Sequence, residues 1–209
     1  MPNPTTMNLL IHPAYFPSIS TFVAMAQCNS LALEMDDNFQ KQTNRNRMYI
    51  YSPNGRQLLN IPVKHVKEAH QKTKDIRLET AFDWQKQHFK SLEAAYRASP
   101  FFEYFEDDLR PLFEKKHTFL MDLNLESMQL VCKCMGIPFT YTETTEYFKD
   151  ADGFADFRPL INGKTDGSIL ESYPQVFGEK HGYLNNLSIL DLLFNEGRHA
   201  AEYLKRQQF

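Results

Sequence analysis

Apolar residues recur along the chain at two spacings, which predict short strands near the N-terminus and helices over most of the rest. Short apolar runs predict strands at 9–11 and 30–35, and Asn54-Gly55 between two β-rich runs predicts a hairpin. Apolar positions three and four apart predict helices over 17–27, 82–98, 101–113, 124–135, 187–195 and 198–206. Two further short strands are expected over 75–80 and 139–142. The pattern therefore predicts an α/β fold, with a small mixed β-sheet formed mainly by the N-terminal half and a covering helical layer from the C-terminal half.

Two stretches follow neither spacing. Residues 64–74 are basic and are interpreted as a mobile surface loop. Residues 143–186 contain five of the eight glycines, and such long loops inside compact proteins are usually functional or disordered. With 209 residues and no internal repeat, the chain is expected to form a single domain over 1–209.

The composition is that of an ordinary globular protein, with 42% apolar and 23% charged residues. A formal net charge of −3, and a basic run without interleaved aromatic residues, argue against nucleic-acid binding. No stretch approaches the about 20 apolar residues that span a bilayer, and the polar residues 1–8 do not resemble a secretory signal. The odd number of cysteines does not indicate a disulfide framework, so a cytoplasmic location is expected.

The first predicted strand runs directly into a turn that carries His12, Tyr15 and two prolines. Ligands of open α/β sheets bind at the carboxyl ends of strands, so these two side chains are candidates for a binding site. The alternative, given equal weight, is that both residues pack a turn fixed by Pro13 and Pro17.

A polar loop after the second strand is the densest group of potential ligand-binding side chains. Its two consecutive carboxylates, beginning at Asp36, could act as a base or hold a cation. Arg45 or Arg47 could bind a phosphate or carboxylate through two hydrogen bonds. The alternative, which the loop by itself favours, is a solvated segment stabilised by Asx-turns.

Helical spacing places His88 on the same face as Trp84 and Leu92, so its side chain is expected to point inward. An inward histidine can serve as a general base near neutral pH. A core histidine with a satisfied hydrogen bond is the commoner case, and spacing alone favours it.

The predicted helix over 187–195 is apolar nearly all round, which indicates a buried helix. Its polar residues Ser188, Asp191 and Asn195 form one stripe, which faces either bulk water or a wet internal cleft. Candidate neighbours in the irregular segment upstream are Arg158, Tyr173 and Gln175.

Several familiar motifs are absent. The pair Cys132 and Cys134 lies in a helical pattern, where residues two apart point to different faces, so it is a poor chelate. The sequence contains no H-E-x-x-H, G-x-G-x-x-G, P-loop or G-x-S-x-G motif. No metal and no cofactor is therefore predicted.

Four blocks of the chain together resemble the WbqC-like protein family. They are Pro13-x-Tyr15-Phe16-Pro17; Asp36-Asp37 with Asn44-Arg45-Asn46-Arg47 and Leu59-x-Ile61-Pro62-Val63-Lys64; Trp84-x-x-x-His88-x-Lys90-Ser91-Leu92; and Asn186-Leu187-Ser188-Ile189-Leu190-Asp191-Leu192-Leu193-Phe194-Asn195-x-Gly197. The family opening usually has a glutamine where this chain has His12, and the segment between Asp37 and Asn44 is shorter than usual.

The resemblance implies a bacterial protein of surface-polysaccharide (O-antigen) and amino-sugar pathways that modifies a sugar or nucleotide sugar by group transfer. It also implies that polar residues from four segments share one cleft, with His88 or Asp36 as the catalytic base. The expected substrate-binding residues are His12, Tyr15, Asn44, Arg45, Asn46, Arg47, Ser188, Asp191 and Asn195. The alternative hypothesis is a non-catalytic binding or scaffold protein of the same pathway. Neither hypothesis predicts an oligomeric state.

Overall fold

The structure is a computed structural model that describes residues 7–64 and 70–208. In chain order its strands and α-helices are β1 (Asn8–Ile11), α1 (Ile19–Gln27), β2 (Ser30–Leu33), β3 (Arg47–Ser52), β4 (Gly55–Asn60), α2 (Trp84–Tyr96), α3 (Phe102–Glu114), α4 (Leu120–Met135), β5 (Thr142–Glu143), β6 (Ala155–Asp156), α5 (Gly178–His181), α6 (Ile189–Glu196) and α7 (Ala200–Arg206). Short 3-10 helices span Thr73–Asp75, Arg158–Ile161 and Gly197–His199.

Four parallel strands form the main sheet, in the order β5-β2-β1-β6. The hairpin of β3 and β4 is a separate antiparallel pair, in which Arg47 lies opposite Asn60 and Ser52 opposite Gly55. Gly55 closes the hairpin turn with φ +94°, a backbone conformation that few other residues adopt. The predicted α/β fold with a small mixed set of strands is confirmed.

The sheet changes direction at β1. The chain leaves β1 through α1 and adds β2 and then β5 on one side, whereas β6 returns to the other side. Connections that depart to opposite sides open a crevice at the carboxyl ends of the two neighbouring strands, and ligands of open α/β sheets bind there. In this chain the crevice lies between the ends of β1 and β6.

One hydrophobic cluster joins β1, α1, the hairpin and the helices, from Leu9 to Leu204. Helix α6 lies at its centre, because Ile189, Leu190, Leu192 and Leu193 are all fully buried. This burial agrees with the apolar surface expected of the helix and places its polar residues inside the protein.

Several elements differ from the expected ones. Strand β5 spans Thr142–Glu143 rather than 139–142. Residues 75–80 form no strand, and Arg77 and Leu78 take part only in isolated bridges to Phe119 and Val63. Helix α4 begins at Leu120 rather than near residue 124, directly after Phe119. Strand β6 lies within the irregular segment over 143–186 and is two residues long, too short to produce a spacing signal. Residues 65–69 of the predicted basic loop lie outside the described residues, as do residues 1–6.

Candidate functional site

His12 follows the last residue of β1 and borders a cavity together with Phe157 and Ile161, which follow β6. Its side chain is buried, its Nδ1 lies 3.5 Å from Asp37 Oδ2, and that nitrogen makes no hydrogen bond to any described residue. Burial, assisted by the positive charges of Arg45 and Arg158, lowers the pKa of His12 to about 2. The imidazole is therefore neutral at every physiological pH.

A buried ion pair of Asp37 and Arg45 lies behind His12. Arg45 is 1% exposed and donates through Nε to Asp37 Oδ2 at 2.9 Å, with its Nη2 also on that oxygen and its Nη1 on Thr43 Oγ1. Burial raises the pKa of Asp37, and the charge of Arg45 opposes the shift. Because all three of its nitrogens are engaged inside the protein, Arg45 holds Asp37 in place.

A second ionic group, in which Arg158 and Glu34 are buried and Asp156 is exposed, joins the ends of β2 and β6. Arg158 binds both oxygens of Asp156 at 2.8 Å and also reaches Glu34 Oε2 at 3.4 Å. Glu34, which is fully buried, also accepts a hydrogen bond from Thr144 Oγ1 at 2.9 Å. Glu34 was not among the predicted site residues, because the predicted strand over 30–35 includes it, whereas β2 ends one residue before it at Leu33.

Asp36 points away from this group. Its carboxylate pairs with Lys72 and Lys74, each at 2.7 Å, and their hydrogen bonds lower its pKa. The residue therefore anchors the Lys72–Lys74 stretch and does not border the cavity at His12.

Tyr15 and His88, both buried, contact each other. The Tyr15 hydroxyl lies 3.1 Å from His88 Nδ1, and the Trp84 ring meets the imidazole edge to face. Burial lowers the pKa of His88 to about 4, against the opposing effect of a hydrogen bond to the Asn60 backbone. His88 thus has the environment of a core histidine with a hydroxyl partner.

Two adjoining cavities share Ser18 and Asn44 in their walls, and together we name them the polar cleft. The smaller cavity is the one at His12. The larger is bordered by Ser18, Asn44, Arg47, Arg56, Asp166 and Ser188 among others. It measures about 300 Å³ with its open mouth included, but the centre of a water molecule can reach only about 20 Å³ of it. The cleft is therefore narrow and polar.

Two arginines of the hairpin flank the mouth of the cleft. Arg47 donates through Nε to Asn60 Oδ1 at 3.2 Å, and the Arg56 guanidinium lies 4.0 Å from the centre of the Tyr49 ring. Over residues 7–64 and 70–208, neither guanidinium forms an ion pair with a carboxylate. As far as the described residues show, both guanidiniums are available to an anion.

The helices α1 and α6 begin against each other at the base of the cleft. The Ile19 amide donates to Leu187 O at 3.0 Å, and the Ile189 amide donates to Pro17 O at 2.8 Å. Ser188 caps α6, accepting from the Leu190 amide at 3.4 Å, and donates to Phe16 O at 3.0 Å. Two non-glycine residues next to this junction, Phe16 and Asn186, have φ of 39° and 54°. Such strained backbone tends to cluster at functional sites.

Asp191 lies on α6 in a separate buried group. Its carboxylate accepts from the hydroxyls of Tyr96 at 2.8 Å and Tyr173 at 2.5 Å, and from Gln175 Nε2 at 2.9 Å. Burial raises its pKa, and the three hydrogen bonds oppose the shift. Asn195 donates to Asp191 O at 2.7 Å. The polar stripe of α6 thus faces the interior and ties the segment around residue 174 to the core.

The predicted site residues fall into several groups. Asn44, Arg47, Ser188 and His12 border the polar cleft. The others lie in separate hydrogen-bonded groups: Tyr15 with His88, Arg45 with Asp37, Asp36 with Lys72, Asn46 with Ile61, and Asp191 with Asn195. Among the cleft residues that were not predicted are Ser18, Arg56, Asp166 and Asn186. The available signal was Asn186, an asparagine just before the helix predicted over 187–195.

In the described part of the chain, no helix is long and apolar enough to cross a membrane. No solved structure gives a match. The chain is similar to the Uncharacterized protein Rv1507c of Mycobacterium tuberculosis, with 26% identity over 227 aligned positions that cover 94% of this chain and 96% of the relative. The model of the WbqC-like protein family matches residues 12–158, so the match includes His12, both ionic groups and the hairpin but not α6. Because that match extends over more than half of its length, the chain belongs to the WbqC-like protein family.

Proposed function

We propose that the protein binds a sugar or nucleotide sugar in the polar cleft and transfers a group to or from it during bacterial surface-polysaccharide synthesis. The observation that supports this most is a pair of guanidiniums, Arg47 and Arg56, that have no carboxylate partner among the described residues and lie at the mouth of a cleft with hydroxyl and amide walls. Guanidinium groups bind phosphate through paired hydrogen bonds, and amides and hydroxyls bind sugar hydroxyls.

The positions of these groups determine the orientation of the bound ligand. The phosphates lie at the mouth, against Arg47 and Arg56, and the sugar ring points inward toward Asn44 and Ser188. The volume of the larger cavity that the centre of a water molecule can reach, about 20 Å³, is far below the about 300–1,000 Å³ usual for small-molecule sites. Binding therefore requires that the side chains of Arg47 and Arg56 rotate to widen the mouth.

The acid–base role belongs to His12 in this proposal, since His12 borders the cleft whereas His88 and Asp36 do not. The Asp37 carboxylate lies 3.5 Å from its Nδ1, where its negative charge can stabilise the imidazolium that forms when His12 accepts a proton. A ligand phosphate adds negative charge to the cleft, which favours the charged imidazolium and so raises the pKa of His12 from its lowered value.

One observation favours a second candidate, a binding protein without catalytic activity. Both histidines near the sheet are buried and neutral, with pKa values lowered to about 2 and about 4. A protein that only binds a nucleotide sugar needs no titrating group near pH 7. The catalytic candidate predicts formation of a product, and the binding candidate predicts none.

The first test is ligand binding, measured as the shift in thermal unfolding with UDP-glucose and UDP-N-acetylglucosamine. At 100 times its Kd, a ligand stabilises the protein by about 2.7 kcal/mol. We expect Arg47→Ala to weaken binding at least about tenfold, since a charged hydrogen bond contributes about 1.5–3 kcal/mol. Arg198→Ala, an exposed arginine at Tyr104, is the matched control and should leave binding unchanged. Absence of any shift with either ligand in the unmodified protein would contradict the proposal.

The second test is turnover with each bound UDP-sugar and an acyl thioester, followed by mass spectrometry of the products. Catalysis predicts a product that His12→Ala abolishes while binding persists. Binding without product supports the second candidate. His88→Asn, which keeps a polar atom facing Tyr15, should retain turnover, and loss of turnover in that variant alone would return the base to His88.

A further inference from the structure

Ser18 occupies the N-cap position of α1 but does not cap the helix. An N-cap serine ordinarily accepts a hydrogen bond from one of the first backbone amides. The Ser18 side chain accepts none, and the Ser20 amide instead donates to Asn186 Oδ1 at 2.9 Å. Asn186 performs the capping from across the junction, in a left-handed backbone conformation that is unfavourable for a non-glycine residue. This arrangement releases the Ser18 hydroxyl from its usual role.

The released hydroxyl belongs to a chain of hydrogen bonds that ends on a carboxylate. Ser20 Oγ lies 2.6 Å from Asp166 Oδ2, and Ser18 Oγ lies 2.9 Å from Ser20 Oγ. A carboxylate only accepts, so the single hydroxyl proton of Ser20 goes to Asp166. Ser20 can then only accept from Ser18, whose own proton is used in turn.

Because the Ser18 hydroxyl donates its only proton to Ser20, Ser18 can only accept hydrogen bonds from its other neighbours. Thr21 Oγ1, which lies 3.1 Å from Ser18 Oγ, must donate to it. A hydroxyl oxygen has two lone pairs, so one remains for a further donor. Ser18 is also one of the residues shared by both cavities of the polar cleft, and it is 8% exposed.

We propose that Ser18 is a specificity-determining residue of the cleft, which accepts a hydrogen bond from a hydroxyl group of the bound sugar. This inference rests on the proposed function and assigns one contact within it. A ligand atom that can only accept, such as a phosphate or carboxylate oxygen, is disfavoured at Ser18 because no proton is available to it. The negative charge of Asp166 in the same wall disfavours anions further. The phosphates are thus directed to Arg47 and Arg56 and the sugar hydroxyls to Ser18.

The test uses UDP-glucose and UDP-N-acetylglucosamine together with analogues in which one ring hydroxyl at a time is replaced by fluorine. Fluorine is close to a hydroxyl in size but cannot donate. We expect one analogue of a bound UDP-sugar to bind the unmodified protein about tenfold more weakly than its parent, which corresponds to the loss of one buried hydrogen bond.

The decisive variant is Ser20→Ala, which frees the Ser18 proton to point into the cleft. The tenfold difference between parent and analogue should then fall below about threefold, because Ser18 can donate to the fluorine or to a neighbouring acceptor. Asp166→Ala should act in the same direction, since Ser20 then has no carboxylate to donate to and can donate to Ser18 instead. Thr21→Val is the matched control, which removes a neighbouring hydroxyl while Ser18 still donates to Ser20. The tenfold difference between the parent UDP-sugar and its analogue should therefore remain.

The outcomes separate the two proposals. If a UDP-sugar binds but no fluorinated analogue binds more weakly, or if Ser20→Ala keeps the full discrimination, the role of Ser18 is wrong and the proposed function stands. If neither UDP-sugar binds the unmodified protein, both proposals fail. Thermal unfolding without ligand shows whether the Ser20 variant or the Asp166 variant has lost its fold. If one of them has, the binding results of the other test the role of Ser18.

Discussion

His12 and His88 show how burial sets the chemistry of a side chain at the scale of single residues. Both are buried beside polar partners, and removal from water disfavours the charged imidazolium of each. His12 borders the cleft, whereas His88 packs between Tyr15 and Trp84. The same residue type therefore provides a candidate site residue in one place and a core residue in another.

The neutral histidines make the stability of the protein depend on pH. At a pH above its ordinary pKa of about 6.5, a histidine whose pKa is lowered in the folded state is neutral in both the folded and the unfolded chain. Its burial as a neutral group therefore does not reduce the free energy of unfolding there. As the pH falls below that value, the unfolded chain gains protons that the folded chain does not bind, so the free energy of unfolding decreases. The loss continues down to about pH 4 for His88 and about pH 2 for His12.

We expect the free energy of unfolding to fall by about 2 kcal/mol per neutral histidine between pH 7 and pH 5. Denaturant unfolding at the two pH values measures the change. His88→Asn should remove the share that belongs to His88 and flatten the dependence. A variant with the same pH dependence as the unmodified protein would show that His88 titrates normally in the folded state.

Arg45 and Arg47 show what the sequence could and could not reveal about the site. Both occur in one polar motif, and both were expected to bind an anion. The structure turns Arg45 inward onto Asp37, whereas Arg47 starts β3 at the mouth of the cleft. Residue type and spacing identified the segment, but the burial of each side chain depends on strands and helices far away in the sequence.

At the scale of elements, the turn between α6 and α7 depends on a glycine. Gly197 ends α6 with φ +58°, and a Cβ added there would lie 2.8 Å from the Phe101 ring. The close approach allows Phe101 to donate its amide to Phe194 O at 3.0 Å, which joins the start of α3 to α6. Both the backbone conformation and the contact exclude a larger residue.

Gly197→Ala is therefore expected to destabilise the protein by at least about 2 kcal/mol, from backbone strain and overpacking together. For a chain of this size, thermal unfolding should shift down by about 2–4 °C for each kcal/mol. Gly167→Ala is the matched control, since Gly167 has no positive φ and no atom near an added Cβ. A Gly197 variant as stable as the Gly167 variant would disprove the packing at Phe101.

The long helices with a regular apolar spacing were predictable, whereas β6 was not predicted and β5 was expected over 139–142, mostly before its observed position. The apolar surface of α6 and the stripes of α2 and α3 predicted buried helices, and these form as expected. Strands β5 and β6 have two residues each, and they form only because β2 and β1 present open edges to them. No local pattern can encode a strand whose partner lies more than a hundred residues away.

At the scale of the whole molecule, one continuous core connects the sheet, the hairpin and the helices. Because elements from both halves contribute to the same core, neither half has a separate interior. The polar cleft shares this property, since its walls come from the β1–α1 turn, the hairpin, the segment around residue 166 and the start of α6. A site assembled from such distant segments cannot be deduced from any one of them.

We expect the protein to unfold in a single cooperative transition by differential scanning calorimetry, because a shared core couples all of its elements. The matching measurement is tryptophan fluorescence, since Trp84 is 6% exposed and reports on the packing of α2. Coincident transitions would agree with a single domain over 1–209. Two resolved heat-absorption peaks would instead indicate two separately folding units.

The reciprocal contact between the starts of α1 and α6 has a consequence for the order of events during synthesis. The Ile19 amide donates to Leu187 O, so the ribosome must synthesise about 170 further residues after Ile19 before this hydrogen bond can form. Until then, the nascent β1–α1 unit lacks both the apolar face of α6 and the residue that caps its helix. Protection of the N-terminal helix from proteolysis should therefore arise late in translation, together with the last wall of the polar cleft.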